Sequence, residues 1–147
     1  MALQIADAAA LILLGKDAES LSAIVAQVGI NTRDEYGRNL LDHIVLQATD
    51  TISPEAENPL DIIRHLLALG ADASRTLIHM VALNELCFEY TEHGTQEFTL
   101  SVNNAVEIIP LLIQAGARIS QNALDSAKYN CAPAIQQLLR QAPLRQE

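Results

Sequence analysis

The chain has 147 residues, half of them hydrophobic and only 3% aromatic, and its 18 acidic and 9 basic residues give a net charge of −9. This is enough apolar material for one domain, or for a short array of repeats sharing one core, and it excludes a disordered chain. The negative balance argues against nucleic acid and anionic membrane as partners, because both demand positive surface. The lack of Trp removes aromatic platforms for stacking bases.

The purely apolar runs at 8–14 and 108–113 fall far short of the roughly 20 residues of a membrane helix. Residues 1–20 carry Asp7 before their apolar run and no basic leader, so a secretory signal is not expected and the chain is placed in the cytoplasm. Cys87 and Cys131 form no CxxC pair, which points to buried free thiols and not to a disulfide or metal site.

Taken in chain order, Ile5 to Val28 reads as a helix pair whose second half, AESLSAIVAQVGIN (18–31), stops at Gly29. A polar turn from Asn31 to Arg38 follows, and Asn39 opens the short helix NLLDHIVLQA (39–48). PLDIIRHLLALGADAS (59–74) starts from an Asn58-Pro59 cap and stops at Gly70, and TLIHMVALNE (76–85) is again a short helix. AVEIIPLLIQAGARIS (105–120) is preceded by Asn104, which has capping-box spacing to Glu107; Pro110 predicts a local bend, and Gly116 a stop. NALDSAKYNC (122–131) and APAIQQLLRQA (132–142), with Asn130 as a cap before Pro133, complete the series. The unit is helix, connection, helix, Gly, turn, with Gly29, Gly70 and Gly116 suited to the left-handed residue past a helix end. No such helix buries its apolar stripe alone, so successive pairs must stack.

At this level the sequence resembles the ankyrin repeat family. DEYGRNLLDHI (34–44) is similar to the family's Asp-x-x-Gly-x-Thr-Pro-Leu-His-x-Ala finger tip and first helix, with Asp34 and Gly37 in register and Asp42 in place of His. TLIHMVA (76–82) keeps Thr76 and His79, and NALDSAK (122–128) carries Asp125 at the His position. LLALGADAS (66–74) and LLIQAGARIS (111–120) match the family's second-helix ending. The resemblance implies an all-α solenoid, a single ankyrin-repeat domain over 1–147 with about four repeats, approximately 1–32, 33–74, 75–120 and 121–147. It also implies structural roles for Gly37, Gly70 and Gly116, and for Asp42, His79 and Asp125, whose side chains would tie a helix start to a turn.

Departures from the family locate the extra residues. Successive glycines lie 41 and then 46 residues apart, where the family repeats at about 33. Only the junction at Asn31 to Arg38 keeps a near-complete finger; those after Gly70 and Gly116 are shortened. The surplus falls between first and second helices, at 47–58 and 86–104, on the edge that the resemblance places opposite the fingers. FEYTE and QEFTL around His93-Gly94 are good strand formers, so 86–104 is read as a β-hairpin insertion in repeat three, with a longer first helix reaching Glu92 as the alternative.

Catalytic signatures do not emerge: there is no G-x-G-x-x-G, P-loop, H-E-x-x-H or G-x-S-x-G, and His43, His65, His79 and His93 lack the ligand spacing of zinc. His43 and His65 are expected on partly exposed helix faces, His65 pairing weakly with Asp61. Adjacent Asp42 and His43 point about 100° apart on a helix and do not converge unaided. No enzyme activity, cofactor or metal is therefore expected.

Charge points to binding instead. No basic residue lies between Arg38 and Arg64 or between Arg75 and Arg118, and both stretches contain an insertion. The candidate partner-binding residues are Asp50, Glu55, Glu57, Glu85, Phe88, Glu89, Tyr90, Glu92, Glu97 and Phe98, aromatic anchors set among carboxylates. The expectation is a protein-interaction module, monomeric when free, that binds a basic protein and acts as an immunity protein or inhibitor of a toxin or enzyme. The alternative is a scaffold protein that self-associates or bridges partners.

Overall fold

Hydrophobic periodicity produces helices throughout. A computed structural model describes residues 4–15, 18–49, 59–83, 96–130 and 133–144. Its helices are α1 (Ile5–Gly15), α2 (Ala18–Val28), α3 (Leu40–Ala48), α4 (Pro59–Ala68), α5 (Thr76–Leu83), α6 (Gln96–Gln114), α7 (Gln121–Asn130) and α8 (Pro133–Leu139). The fold is all-α; among the described residues the β-structure is one isolated parallel bridge between Ile119 and Leu144.

The helices pack as two rows. α1, α3, α5 and α7 contact one another in succession, as do α4, α6 and α8, and each odd helix packs on the even helix that follows it. α3 is central, and its sequence shows it: seven of its nine residues are buried, Leu40, Leu41, Ile44, Val45 and Ala48 with no exposed surface. A helix apolar on most sides fits only where neighbours cover most sides. α4 presents a single stripe, Pro59, Ile63 and Leu66, at helical spacing. α6 contributes Ala105, Ile108, Ile109 and Leu112, and Leu77 and Met80 of α5 and Ile135 and Leu139 of α8 extend the core along the stack.

Second helices end alike. At α4, Ala71 N–H bonds the Leu66 carbonyl and Gly70 N–H the Leu67 carbonyl; at α6, Ala117 bonds Leu112 and Gly116 bonds Ile113. Both are Schellman stops, which require a left-handed residue past the helix, and Gly70 and Gly116 supply it at φ +97° and +96°. Beyond these stops successive units bond each other: Asn31 Nδ2 donates to the Gly70 carbonyl at 3.0 Å, Arg118 N–H to the Ser74 carbonyl at 3.2 Å, and Ile119 N–H to the Pro143 carbonyl at 3.0 Å.

Residues 96–104 correct the reading of 86–104. Gln96–Leu100, assigned above to a strand, belong to α6, so this part of the surplus lengthens the second helix of the pair; residues 86–95, on which the other strand and the longer first helix fall, lie outside the described residues. Asn104 correspondingly does not open the helix. It is buried within α6, and its Nδ2 donates to the Ala48 carbonyl at the end of α3, 2.8 Å away. α6 also continues through Pro110, whose ring is on the exposed side.

Gly29 and Gly70 separate two costs of a left-handed position. A Cβ at Gly70 (φ +97°) meets no atom within 4 Å, so Gly70→Ala should cost only the backbone term, about 1–2 kcal/mol. At Gly29 (φ +91°) the Cβ would collide with the Thr32 hydroxyl, so Gly29→Ala should cost more. Urea unfolding checks this, and the excess at Gly29 should vanish in a Thr32→Ala background.

Candidate functional site

The segment Asn31 to His43 holds the densest set of ionisable groups, and its geometry begins with a turn. Asp34 Oδ1 accepts the backbone N–H groups of Tyr36 (2.9 Å) and Arg38 (3.1 Å). Asp34 N–H donates to the Arg38 carbonyl at 3.0 Å and Gly37 N–H to the Asp34 carbonyl at 3.0 Å. Gly37, at φ +76°, closes the turn in the left-handed region. The outer oxygen, Asp34 Oδ2, lies 2.7 Å from His43 Nε2. His43 is therefore buried against the turn (8% exposed), and not on a partly exposed face as the sequence suggested. Burial alone would raise the Asp34 pKa, but the bonds from His43, Arg38 and Tyr36 together outweigh it and hold the carboxyl below its ordinary value.

Asn39 then caps α3. Its Oδ1 accepts Asp42 N–H at 2.9 Å while Asp42 Oδ2 accepts Asn39 N–H at 3.1 Å, a reciprocal capping box. Asp42 has no exposed surface, yet it is well partnered. Its Oδ2 also meets Arg33 Nη1 at 3.2 Å, and its Oδ1 accepts the Thr76 hydroxyl at 2.6 Å. The second guanidinium nitrogen of Arg33 reaches Asp72 Oδ2 at 3.0 Å, and its first also donates to the Gly37 carbonyl at 2.7 Å. Asp72 N–H bonds Asn31 Oδ1 at 2.7 Å and the Asp72 carbonyl accepts Asn39 Nδ2 at 2.9 Å. The backbone N–H of Ser74 leads in lowering the Asp72 pKa, and Arg33 assists. One polar network thus binds the turn, the start of α3 and the start of α5.

His79 borders this network without closing it. Its Nε2 lies 3.8 Å from Asp42 Oδ2, and it is one of two buried side-chain nitrogens without a hydrogen-bond partner among the described residues, the other being Arg38 Nε. The hydroxyl of Thr76, and not the imidazole three residues on, bonds the Asp42 carboxylate. Burial pushes the His79 pKa down; the Asp42 carboxylate and the Gly37 carbonyl oppose this, while Arg38 and Arg33 add to it.

Asp125 does not repeat the position of Asp42. The first helical bond of α3 is to the Asn39 carbonyl and that of α7 is to the Ser120 carbonyl, so Ser120 is the cap and its Oγ accepts Ala123 N–H at 3.1 Å. Asp125 stands two positions farther into its helix than Asp42 does, is exposed, and accepts Gln121 Nε2 at 2.9 Å. Asp61 pairs with Arg64 at 3.5 Å. Arg33 and Asp72 were not singled out by sequence. Their signal was the period: Asn31 and Asp72 each stand two residues past a stop glycine, and these equivalent positions bond each other.

Of the acidic and aromatic candidates, Glu97 and Phe98 lie in the first turn of α6, while Asp50, Glu55, Glu57, Glu85, Phe88, Glu89, Tyr90 and Glu92 lie outside the described residues, as do Cys87, His93 and Cys131. The ends that flank the insertions are placed. Asp42 and Thr76 bring the starts of α3 and α5 together, so Ala48, within the 47–58 insertion, and Leu83, shortly before the 86–104 one in sequence, close the opposite end of that row. α4 has 10 residues and α6 has 19. The turns of α6 before Asn104, on the order of 12 Å at about 1.5 Å per residue, run past the end of α3. Asp61 and Glu107, both exposed, flank this end on α4 and α6. Comparison with protein-family models, with curated proteins and with solved structures finds no match.

Two outcomes follow from the network. Asp42→Asn should cost roughly 3 kcal/mol in urea unfolding, because it strips charge from a fully buried acceptor of an N–H, a hydroxyl and a guanidinium. The folded protein binds a proton at His79 less readily than the unfolded protein does. Its stabilising contribution is therefore complete above the ordinary imidazole value of 6.5 and is lost as pH falls through and below it. The lowered Asp34 and Asp72 lose theirs only below 3.8. A urea midpoint that declines between these two values in the native protein, and declines less in His79→Gln, is the expected result.

Proposed function

We propose that the chain is a non-enzymatic protein-binding module, built as an ankyrin-like solenoid, whose partner is a basic protein that it neutralises in the manner of an immunity protein or inhibitor. What carries this reading is the arrangement of the rows. They bring the departure points of both acidic insertions to one end, beside a second helix that runs well past its neighbour.

The polar cluster at the other end supports it from the opposite direction. Asp42 spends its lone pairs on Asn39, Arg33 and Thr76, and Asp34 spends its own on its turn and on His43. Carboxylates held this way brace backbone and are poorly placed to exchange protons with a substrate. A partner meeting the insertion end would encounter Asp61, Glu107 and the glutamates of 85–97. Electrostatics there would govern encounter rate and partner choice, with Phe88, Tyr90 and Phe98 supplying apolar contact.

The full-length protein as bait in an extract, with bound protein released by rising salt, tests the reading. The expected partner is basic, elutes at moderate ionic strength, and is lost when Glu85, Glu89, Glu92 and Glu97 are all changed to Gln. A partner retained by that variant and at high salt would overturn the acidic-end reading, and concentration-dependent mass in light scattering would favour the self-associating scaffold.

A further inference from the structure

The turn Asp34 to Arg38 is a second candidate for recognition, independent of the acidic end. Its backbone is fixed from within: the N–H groups of Asp34, Tyr36, Gly37 and Arg38 all bond inside the turn, and the carbonyls of Asp34, Gly37 and Arg38 are likewise taken. Arg33 and His43 brace it from behind. Two side chains take no part in this bracing and stand outward. Tyr36 is 65% exposed, the most exposed of the large hydrophobic side chains among the described residues, and Glu35 is exposed beside it.

Arg38 completes the feature. Its guanidinium carbon lies 5.0 Å from the centre of the Tyr36 ring, a cation–π contact that holds both side chains in one arrangement. It makes no ion pair among the described residues, unlike Arg33, which holds two carboxylates, and its Nε is buried without a hydrogen-bond partner. A half-buried guanidinium that lacks a carboxylate, next to an exposed tyrosine on a rigid turn, has the composition and low ordering cost of a binding hot spot.

We infer that Tyr36 and Arg38 form a docking site for a partner-protein segment that presents a single Asp or Glu, whose side chain pairs with the Arg38 guanidinium while flanking apolar atoms cover the Tyr36 ring. The chemistry selects a side-chain carboxylate. The terminal carboxylate of a polypeptide is captured by several free backbone N–H groups, and this turn has already spent those of Tyr36, Gly37 and Arg38. A dianionic phosphate would face Glu35 and the overall negative charge with a single guanidinium to hold it. The carboxylate matches one cation with one anion.

Selection of a displayed random peptide library on the immobilised full-length protein tests this. Enriched peptides should carry Asp or Glu. Synthetic copies with amidated C-termini should shift the amide signals of Gly37 and Arg38 and the Arg38 Nε–H signal, and should lose at least about tenfold in affinity with Arg38→Gln and with Tyr36→Ala. Tyr36→Phe should bind like the native protein, and circular dichroism melting should show each variant folded. Enrichment of peptides without carboxylates, or binding untouched by Arg38→Gln, would overturn the assignment. So would self-association in light scattering that Arg38→Gln abolishes, which would make the occupant a second copy of this protein.

Discussion

Asp42 is a carboxylate with no exposed surface, and the stack of helices depends on how its charge is satisfied. Within one residue's reach are the N–H of the cap that starts α3, the guanidinium of Arg33 from the preceding turn, and the hydroxyl of Thr76 that starts α5. An isolated ionised carboxylate in such a place would cost several kcal/mol, so each partner is needed to make its burial tolerable. The same bonds fix geometry. By holding the start of α5 against the start of α3, Asp42 sets the offset between successive units, and the apolar faces of Leu40, Leu41, Ile44, Leu77 and Met80 then pack in that register.

From this joint the division of the molecule follows. One end is cross-linked by Arg33, Asn31, Asn39 and Asp72, and the carboxylates of Asp34, Asp42 and Asp72 are occupied there. The other end receives the ends of α3 and α5 and the overhanging start of α6. The division places Tyr36 and Arg38 on the side of the joint.

Much of the scaffold was legible in the sequence because it rests on local physics. Apolar spacing located the helices, Gly29, Gly70 and Gly116 take the left-handed conformation their positions suggested, and Asn39 opens α3 as its side chain allows. What was illegible depends on distant partners. Strand formers in 96–100 and a capping-box pattern at Asn104 are sound local signals, but both lie inside α6, where the Asn104 amide takes the Ala48 carbonyl, 56 residues away in sequence. His43 reads as a surface residue until Asp34 folds over it. Asp125 reads as the counterpart of Asp42 until Ser120, two positions out of phase, proves to be the cap. Asp72 shows locally only its turn with Ser74, 3.0 Å away; its part in the network depends on Arg33 and Asn31 of the preceding unit.

The order of the whole stack rests on the coupling of α3 to α5 through Asp42. A double-mutant cycle measures it most directly: urea unfolding of the native protein, Asp42→Asn, Thr76→Val and the double variant. A coupling free energy of about 1–3 kcal/mol is the result that this joint predicts. Additive losses, with no coupling between the carboxylate and the hydroxyl, would contradict it.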